Sequence, residues 1–336
     1  MVSTSDFLHL RYTRDLTEGG IAYALRSLPY GFKHAKGSLY ERLQRVVAGA
    51  AVDLAFRRYL SEQNILFDVK RALPFTERDR YDVTLAGRRC EVTSFLIRQR
   101  EQILQIQRNP ELLLKVPALI ASDQHAAEGN SPRDLYLFAF FVGEVKASQQ
   151  ELGNVIEAGQ PHYVVHVMPE AWNRPSRWNP LGTLVLKSDS EETQIVEIGG
   201  QDEGRALHSL TIKLPPRTRL EVQNEFFSLA YIHTKSNSPT RIGIHSPARK
   251  ETHLIDTAGW GNIWIYGLNI LMVGYLTREE FSRHASFLPT GSGVFQYNFT
   301  QVKNLAVPIS KLRPLSELLE RSKIASAATI GRHSDS

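Results

Sequence analysis

The chain has 336 residues, of which 42% are hydrophobic and 22% are charged, and a single cysteine, Cys90. This composition is typical of a folded globular protein, and the length predicts about two domains. One cysteine excludes an internal disulfide and an all-cysteine metal cage, and we expect a reducing, cytoplasmic environment. The first residues mix charges without an apolar stretch, so no signal peptide is expected. The longest apolar run, residues 263–276, is too short to span a bilayer, so no membrane partner is expected.

The positive charge is concentrated near the N-terminus. The net charge is +5, yet residues 1–100 carry 17 Lys and Arg against 11 Asp and Glu, an excess of +6. The remaining residues therefore sum to −1. A basic segment attracts polyanions, and nucleic acid is the first candidate; a solvated basic face without a partner is the alternative.

Two helices are predicted at the start of the chain. Asp15 and Glu18 resemble a capping pair that opens a short helix ending before Pro29. A capping box from Ser38 to Glu41 opens a longer helix, which runs to about Gln63 with Asn64 suited to a left-handed cap. Tyr30 to Gly37, between the two helices, is expected to be a loop.

Asp53 lies at the edge of the apolar stripe of this second helix, three residues after Ala50 and seven after Val46. At helical spacing its carboxylate is directed toward whatever the helix packs against. The alternative is a boundary aspartate paired with Arg57, four residues further on.

The next segments predict an α/β layer interrupted by a β-rich insertion. The layer contains three strand-like runs, Ile65–Lys70, Tyr81–Leu85 and Arg89–Phe95. The helical stretch Ile97–Arg108 and the apolar strand Leu135–Gly143 follow them. From about Glu151, short β runs separated by Pro, Gly, Asn and Ser predict a β-sandwich or barrel. They are Tyr163–Met168, Thr183–Lys187, Thr193–Ile198, Leu210–Leu214, Phe226–His233 and Arg241–His245. A capping box at Thr277–Glu280 restores the helical signal after the strand-like stretch Ile263–Leu276.

These patterns predict an N-terminal extension, a discontinuous α/β core, a β-rich insertion and a flexible tail. The corresponding ranges are residues 1–35, 36–148 with 264–322, 149–263 and 323–336. The strand near Ile270–Leu276 is expected to rejoin the sheet that contains Leu135–Gly143.

The segment from Asp82 to Thr93 carries the most specific chemical signal. If Ala86 and Gly87 form a two-residue hairpin turn, Asp82 lies directly opposite Glu91, where like charges destabilise a sheet. A four-residue turn also leaves both carboxylates on one face, whereas a three-residue loop places them on opposite faces. Two facing carboxylates, joined by a third from a packed helix, would form a hard-oxygen site suited to Mg²⁺ or Mn²⁺. Such a site activates water for attack on a phosphodiester.

Asp82, a short turn and then Glu91-Val92-Thr93 resemble the signature of the restriction-endonuclease-like, or PD-(D/E)xK, nuclease superfamily. The segments YLTREEF and VPISKLRPL near the C-terminus are similar to the ends of bacterial members. The resemblance covers residues 36–146 and 264–320 and implies a mixed sheet flanked by helices. It also implies a Mg²⁺- or Mn²⁺-dependent endonuclease with DNA as the favoured substrate.

The resemblance implies roles for individual residues. Asp82 and Glu91 would be metal ligands together with the backbone carbonyl of Val92. Asp53 would be the helix carboxylate that many members add, with Glu41 as a weaker substitute. Thr93 departs from the pattern because it stands where the family has a lysine.

A threonine hydroxyl cannot supply the positive charge of that lysine, and losing one such electrostatic group costs about 3–4 kcal/mol in other enzymes. Lys70 is the first candidate to replace it, although an exposed strand lysine explains that residue equally well. Arg98, Arg100 and Lys115 are further candidates. Nucleic-acid contacts are expected from four arginines near the motif: Arg88, Arg89, Arg98 and Arg100.

Two alternatives to the nuclease remain open. One is a catalytically silent nuclease fold that binds nucleic acid or a protein partner, and the other is a structural protein whose carboxylates pair with arginines. The insertion could also support a homodimer or a protein partner. On the insertion, Arg241, Arg249 and Lys250 could form a phosphate-binding edge, whereas His162 and His166 are expected to be surface residues.

Overall fold

A computed structural model describes residues 1–30, 38–69, 83–127, 129–235 and 240–333. The chain divides into two compact units. The first, here called the α/β unit, comprises Met1–Gly20, Arg45–Glu144 and Ile265–Ser336. The second, the β-rich unit, comprises Ile21–Gln44 and Val145–Trp264. Within the described residues, no helix is long and apolar enough to cross a membrane.

The described secondary structure is numbered here in chain order. The strands are β1 Leu8–Leu10, β2 Phe67–Val69, β3 Val83–Leu85, β4 Arg88–Ile97, β5 Pro117–Ala121, β6 Leu135–Glu144, β7 Val164–Val167, β8 Leu184–Ser188, β9 Gln194–Gln201, β10 Leu207–Leu214, β11 Arg219–Val222, β12 Ser228–Thr234, β13 Ile242–Ser246, β14 Glu251–Ile255, β15 Gly261–Asn262, β16 Tyr266–Thr277, β17 Ser286–Leu288 and β18 Asn304–Pro308. The helices are α1 Arg14–Ser27, α2 Leu39–Glu62, α3 Arg100–Arg108, α4 Leu112–Lys115, α5 Ser122–His125, α6 Gln149–Glu157, α7 Glu170–Asn173, α8 Arg278–His284 and α9 Leu315–His333.

The α/β unit is built on a six-stranded mixed sheet in the order β1-β16-β6-β4-β3-β2. The β4 and β6 strands pair in parallel, while the other neighbours are antiparallel. The strand from the C-terminal part of the chain, β16, pairs with β6 from Tyr266↔Glu144 to Thr277↔Leu135. This confirms that the stretch near residues 270–276 rejoins the earlier sheet. The α/β class predicted from the sequence is also observed.

Elements cover both faces of this sheet. Strand alternation places Phe95 and Ile97 of β4 in one core together with residues of α3, α4, β5 and β18. On the opposite face lies α2, because a Cβ atom built on Gly49 would be 3.5 Å from Ser94 Oγ. Gly20 of α1 allows close packing onto α2, since a Cβ there would lie 2.4 Å from the Val47 carbonyl oxygen.

Several local predictions are confirmed. The second helix ends at Glu62, and Asn64 has a φ of 53°. Thr277 caps α8 by accepting a hydrogen bond from the Glu280 amide, with the reciprocal bond from the Thr277 amide to Glu280. Both features arise from local chemistry, because short polar side chains satisfy the free backbone groups at helix ends.

The β-rich unit contains two sheets. One has the order β10-β9-β12-β7-β15 and the other β11-β8-β13-β14. A single core joins residues from both sheets, including Val196 and Ile232 of the first and Leu186 and Ile244 of the second. Side chains of two sheets that meet in one apolar core form a sandwich, which confirms the sandwich alternative over the barrel.

Other features differ from the sequence prediction. Residues 1–35 do not form a separate extension, because β1 pairs with β16 and residues 21–44 belong to the β-rich unit. The α6 helix, with its capping box at Ser148, and the small sheet β17-β18-β5 were not predicted. The last helix continues to His333, whereas irregular structure was expected from about Ile324. Small and polar residues such as Ala and Ser continue a helix that the preceding apolar residues begin.

Candidate functional site

The hairpin between β3 and β4 has the predicted two-residue turn. Ala86 and Gly87 have φ angles of 48° and 72°, which are typical of a type I′ turn. Below the turn, Leu85 pairs with Arg88, Thr84 with Arg89 and Val83 with Cys90. Asp82 and Lys70 lie outside the described residues, so the next pair, Asp82 with Glu91, stays a prediction.

Glu91 occupies the edge of a small polar pocket. Its carboxylate accepts a hydrogen bond from the Gln124 side-chain amide, and the pocket also contains the side chains of Arg89 and Arg278. The enclosed volume is about 10 Å³, which is room for about one water-sized occupant. Asp134 also lines this pocket, so the Glu91 carboxylate shares it with two guanidinium groups and a second carboxylate.

Thr93 lies on the same face of β4 as Glu91, because the two residues are two positions apart on a strand that pairs with β6 without a bulge. The next residue on this face is Phe95, which is buried in the core. Val92 lies between them, pairs with Leu137 and directs its side chain to the α2 face. The Glu91 carboxylate and the Thr93 hydroxyl therefore lie on one face of β4.

The structure does not bring Asp53 to this face. Asp53 lies one helical turn after Gly49, which contacts Ser94, and Ser94 projects from the face opposite Glu91. The Asp53 carboxylate forms an ion pair with Arg57. The prediction that Asp53 joins Glu91 was therefore wrong: helical periodicity identified its buried side but not which face of the sheet the helix covers. Glu41 lies more than three helical turns before Asp53 on α2 and belongs to the other unit.

A larger pocket adjoins the hairpin turn, and we call it the hairpin pocket. Its volume is about 630 Å³, and it is lined by Ala86, Gly87, Arg88, Arg89, Ser131, Arg133 and Asp134. The Arg88 guanidinium donates to the Arg133 carbonyl oxygen at 2.6 and 3.0 Å, and Arg89 donates to the Gly129 carbonyl at 3.0 Å. Three guanidinium groups and one carboxylate give the lining a formal charge of +2. The Arg89 Nε atom lies 3.6 Å from the Asp134 carboxylate, so part of that charge is neutralised.

The four predicted nucleic-acid arginines do not form one cluster. Arg88 and Arg89 lie at the start of β4, whereas Arg98 follows its last residue and Arg100 begins α3. A strand of this length separates the two pairs by about 30 Å. Only Arg88 and Arg89 therefore belong to the hairpin pocket, and Arg133, which was not predicted, completes it.

Among the residues that the structure describes, no group of three or more His, Cys, Asp or Glu side chains could hold a metal ion. Glu91 shares its pocket with Asp134, whose carboxylate is contacted by Arg89 and the Ser131 amide, and Asp53 lies on the other face. The described residues therefore do not form a complete ligand set for Mg²⁺ or Mn²⁺, and the predicted site still depends on Asp82.

The sequence analysis missed His125 of α5. Its Nδ1 atom lies 3.0 Å from the Tyr136 hydroxyl, and its Nε2 atom lies 2.9 Å from Ser282 Oγ. Burial and the charge of Arg278 lower the pKa of His125, so the ring is neutral at pH 7. No sequence motif identifies it, because its partners come from β6 and α8.

The proposed phosphate edge of the β-rich unit is not observed. Arg241 pairs with Asp256 at 3.0 Å and with Asp189 at 3.8 Å. Arg249 pairs with Glu251 at 2.9 Å and packs against the Trp172 ring. Neighbouring carboxylates that no motif indicated neutralise these guanidinium groups, so an edge without net positive charge results.

Comparisons with family models, curated proteins and solved structures find no match to this chain.

Proposed function

We propose that the α/β unit binds the phosphate backbone of DNA in the hairpin pocket. The observation that carries this proposal is the arrangement of Arg88, Arg89 and Arg133 around an open pocket of about 630 Å³. Guanidinium groups bind phosphate with two parallel donors, and those of Arg88 and Arg89 are already oriented by backbone carbonyl oxygens. An oriented cation loses less side-chain entropy on binding.

A binding assay with a short labelled DNA duplex tests the proposal. The double variant Arg88→Ala/Arg133→Ala should bind at least about tenfold more weakly, and its affinity should depend less steeply on salt between about 50 and 200 mM. Arg219→Ala, an exposed arginine on β11, is the matched control and should change little. Equal loss in the control, or an unchanged affinity in the double variant, would contradict the proposal; preference for a matching RNA would correct the substrate.

A second candidate function is metal-dependent hydrolysis of the bound phosphodiester. It is favoured by the hairpin register, which ends at the pair Val83 and Cys90 in the described residues. The same register, continued by one residue, would pair Asp82 with Glu91. In this proposal both carboxylates bind Mg²⁺ or Mn²⁺, and the ion activates the attacking water. Thr93 lies beside Glu91 on the same face, at the place where a lysine would supply positive charge.

Cleavage of plasmid DNA with Mg²⁺, Mn²⁺ or EDTA tests hydrolysis separately from binding. Asp82→Ala and Glu91→Ala should each abolish metal-dependent cleavage while DNA affinity is kept or increased. Thr93→Lys should increase cleavage if the site only lacks its cation, whereas Lys70→Ala should be the damaging variant if Lys70 already acts there. If neither wild type nor Thr93→Lys cleaves or binds Mn²⁺, the silent DNA-binding module remains.

A further inference from the structure

The β-rich unit contains a pocket that the proposed DNA-binding function does not use, and we call it the sandwich pocket. It has a volume of about 340 Å³, near the lower end of the range for small-molecule sites. Apolar walls come from Leu28, Leu39, Val167 and Met168. The charged groups of the lining are Arg42, Arg174 and Glu170, and its neutral polar groups are Asn173 and two histidines. An apolar pocket with a few oriented polar groups is the usual form of a site for a small ligand.

Asn173 supplies an acceptor without a partner. Its side chain is only 7% exposed, and its Nδ2 atom donates to the Leu28 carbonyl oxygen at 3.2 Å. This hydrogen bond fixes the orientation of the amide and leaves Oδ1 buried with no donor. A buried acceptor without a hydrogen bond is costly, so the pocket favours a ligand with an N–H or O–H group at this position.

Arg174 supplies a cation next to that acceptor. Its Nε atom donates to the Pro29 carbonyl oxygen at 2.7 Å, and its Nη2 atom donates to the Leu28 carbonyl oxygen at 3.3 Å. Both partners are neutral, and no carboxylate in the described part of the chain forms an ion pair with Arg174. The guanidinium is therefore oriented and retains its charge, which favours an anionic group on the ligand.

The acceptor and the cation lie side by side, because Asn173 and Arg174 donate to the same Leu28 carbonyl oxygen. The ligand must then carry its N–H donor and its anionic group close together. An α-amino acid does so, since its ammonium and carboxylate groups are attached to one carbon atom. A nucleotide does not, because its base amine and its phosphate are separated by the sugar.

The wall formed by His166 and His253 is polar but uncharged. His166 Nδ1 donates to the Gly259 carbonyl oxygen at 2.7 Å, so its Nε2 atom accepts from His253 Nε2 at 2.9 Å. Burial lowers the pKa of both rings, which keeps the pair neutral at pH 7. This wall therefore adds no positive charge, and the cations of the pocket are Arg174 and Arg42.

We infer that the sandwich pocket binds a free α-amino acid with a large apolar side chain. Its carboxylate pairs with Arg174, its ammonium donates to Asn173 Oδ1, and its side chain packs against Leu28, Leu39 and Met168. The inference does not depend on the proposed DNA binding, because it rests on other residues in the other unit.

Calorimetry of the full chain with L-leucine, L-methionine and L-phenylalanine tests the inference, and at least one should bind. For the amino acid that binds best, the amide, which lacks the carboxylate, and the deamino acid, which lacks the N–H donor, should each bind at least about tenfold more weakly. These comparisons use the unaltered protein, so misfolding cannot explain them. No binding at millimolar concentration, or equal affinity for the three ligands, would overturn the inference.

Two variants locate the site. Asn173→Ala and Arg174→Gln should each weaken amino-acid binding by at least about tenfold, and Arg174→Gln should also remove the preference for the acid over the amide. Asn179→Ala and Arg177→Gln, at exposed neighbouring positions, are the matched controls and should bind like the wild type. Binding that persists in both site variants, with unchanged preference for the acid, would place the ligand elsewhere and overturn the inference.

Discussion

The hairpin pocket and the sandwich pocket use arginine in different surroundings. In the α/β unit, Arg88, Arg89 and Arg133 line a wide, open pocket that includes the exposed turn of a hairpin. In the β-rich unit, Arg174 is held by two backbone carbonyl oxygens beside a buried amide and apolar walls. A row of cations without apolar walls suits an extended polyanion, whereas an oriented cation and amide beside apolar walls suit one small ligand.

The two units also differ in their buried histidines. In the β-rich unit, burial lowers the pKa of His166, His233 and His253. In the α/β unit, burial and the charge of Arg278 lower the pKa of His125. The sandwich therefore depends more strongly on neutral histidines, and acid should affect it first.

The largest expected effect on stability comes from a cavity in the core of either unit. Phe138 lies fully buried in the core of the α/β unit, and Phe226 lies fully buried in the core of the sandwich. Replacing either with alanine should lower the free energy of unfolding by about 3–5 kcal/mol, because each leaves a cavity. Hydrogen exchange should increase in β4 and β6 for Phe138→Ala, and in β8, β9 and β12 for Phe226→Ala. Equal exposure of both strand sets in both variants would show one cooperative unit.

A smaller effect is expected from acid on His233. Its Nδ1 atom donates to the Val164 carbonyl oxygen at 2.7 Å, and burial lowers its pKa from 6.5 to about 4. The unfolded chain takes up a proton below pH 6.5, but the folded ring does so only near pH 4. The contribution of neutral His233 to the free energy of unfolding is therefore fully present above pH 6.5. About 3 kcal/mol of it is lost as the pH falls from 6.5 to 4.

Urea unfolding between pH 7 and pH 4 measures this loss, with hydrogen exchange to assign it to each unit. His233→Gln should make the pH dependence shallower, since glutamine does not titrate. A β-rich unit whose stability is constant over this range would contradict the neutral buried histidine.

Removing the negative charge of the hairpin pocket should change the free energy of DNA binding by about 1 kcal/mol. Asp134 is the one carboxylate in its lining, and it accepts a hydrogen bond from the Ser131 amide at 2.6 Å. The variant Asp134→Asn removes the charge and keeps an acceptor for that amide. The variant should bind a DNA duplex about fivefold more tightly, because repulsion of phosphate decreases. Amino-acid binding in the sandwich pocket should not change. Unaltered or weaker DNA binding would place the phosphates away from this pocket.

The smallest expected effect is on the free energy of unfolding and comes from substitutions in the turn between β3 and β4. Ala86 has a φ of 48°, a conformation in which glycine lacks the steric cost of a Cβ atom. Ala86→Gly should stabilise the α/β unit by about 0.5 kcal/mol, while Gly87→Ala, at a φ of 72°, should destabilise it by about 1 kcal/mol. Thermal unfolding measures both, and the same sign for both variants would contradict the type I′ turn.

Local chemistry made several parts of the fold predictable. The capping box at Thr277 and the left-handed cap at Asn64 depend on residues close in sequence. The capping pair predicted at Asp15 and Glu18 was wrong, because α1 already begins at Arg14, which pairs with Glu18. The hairpin register was also predictable, because a two-residue turn determines which residues pair below it. The β-rich character of residues 163–245 followed from short runs of alternating hydrophobicity.

Contacts between distant segments were not predictable in the same way. Periodicity placed Asp53 on the buried side of α2, but the packing of Gly49 on Ser94 decided that this side covers the face away from Glu91. The His125 contacts join α5, β6 and α8, which are far apart in sequence. The phosphate edge failed for the same reason, since Asp189 and Asp256 reach Arg241 from other segments.

The sequence alone determined the end of α2, the start of α8, the hairpin register and the alternation of strands, because each depends on backbone geometry within a few residues. Only the tertiary structure decided which charged groups share a pocket. Arg133, which lies just before β6, meets Arg88 at the start of β4, and Leu28 meets Asn173 and Arg174. Each of these contacts arises through packing of segments that no local pattern links. The free energy of such contacts depends on burial and on neighbours from elsewhere in the chain, and these exist only once the protein has folded.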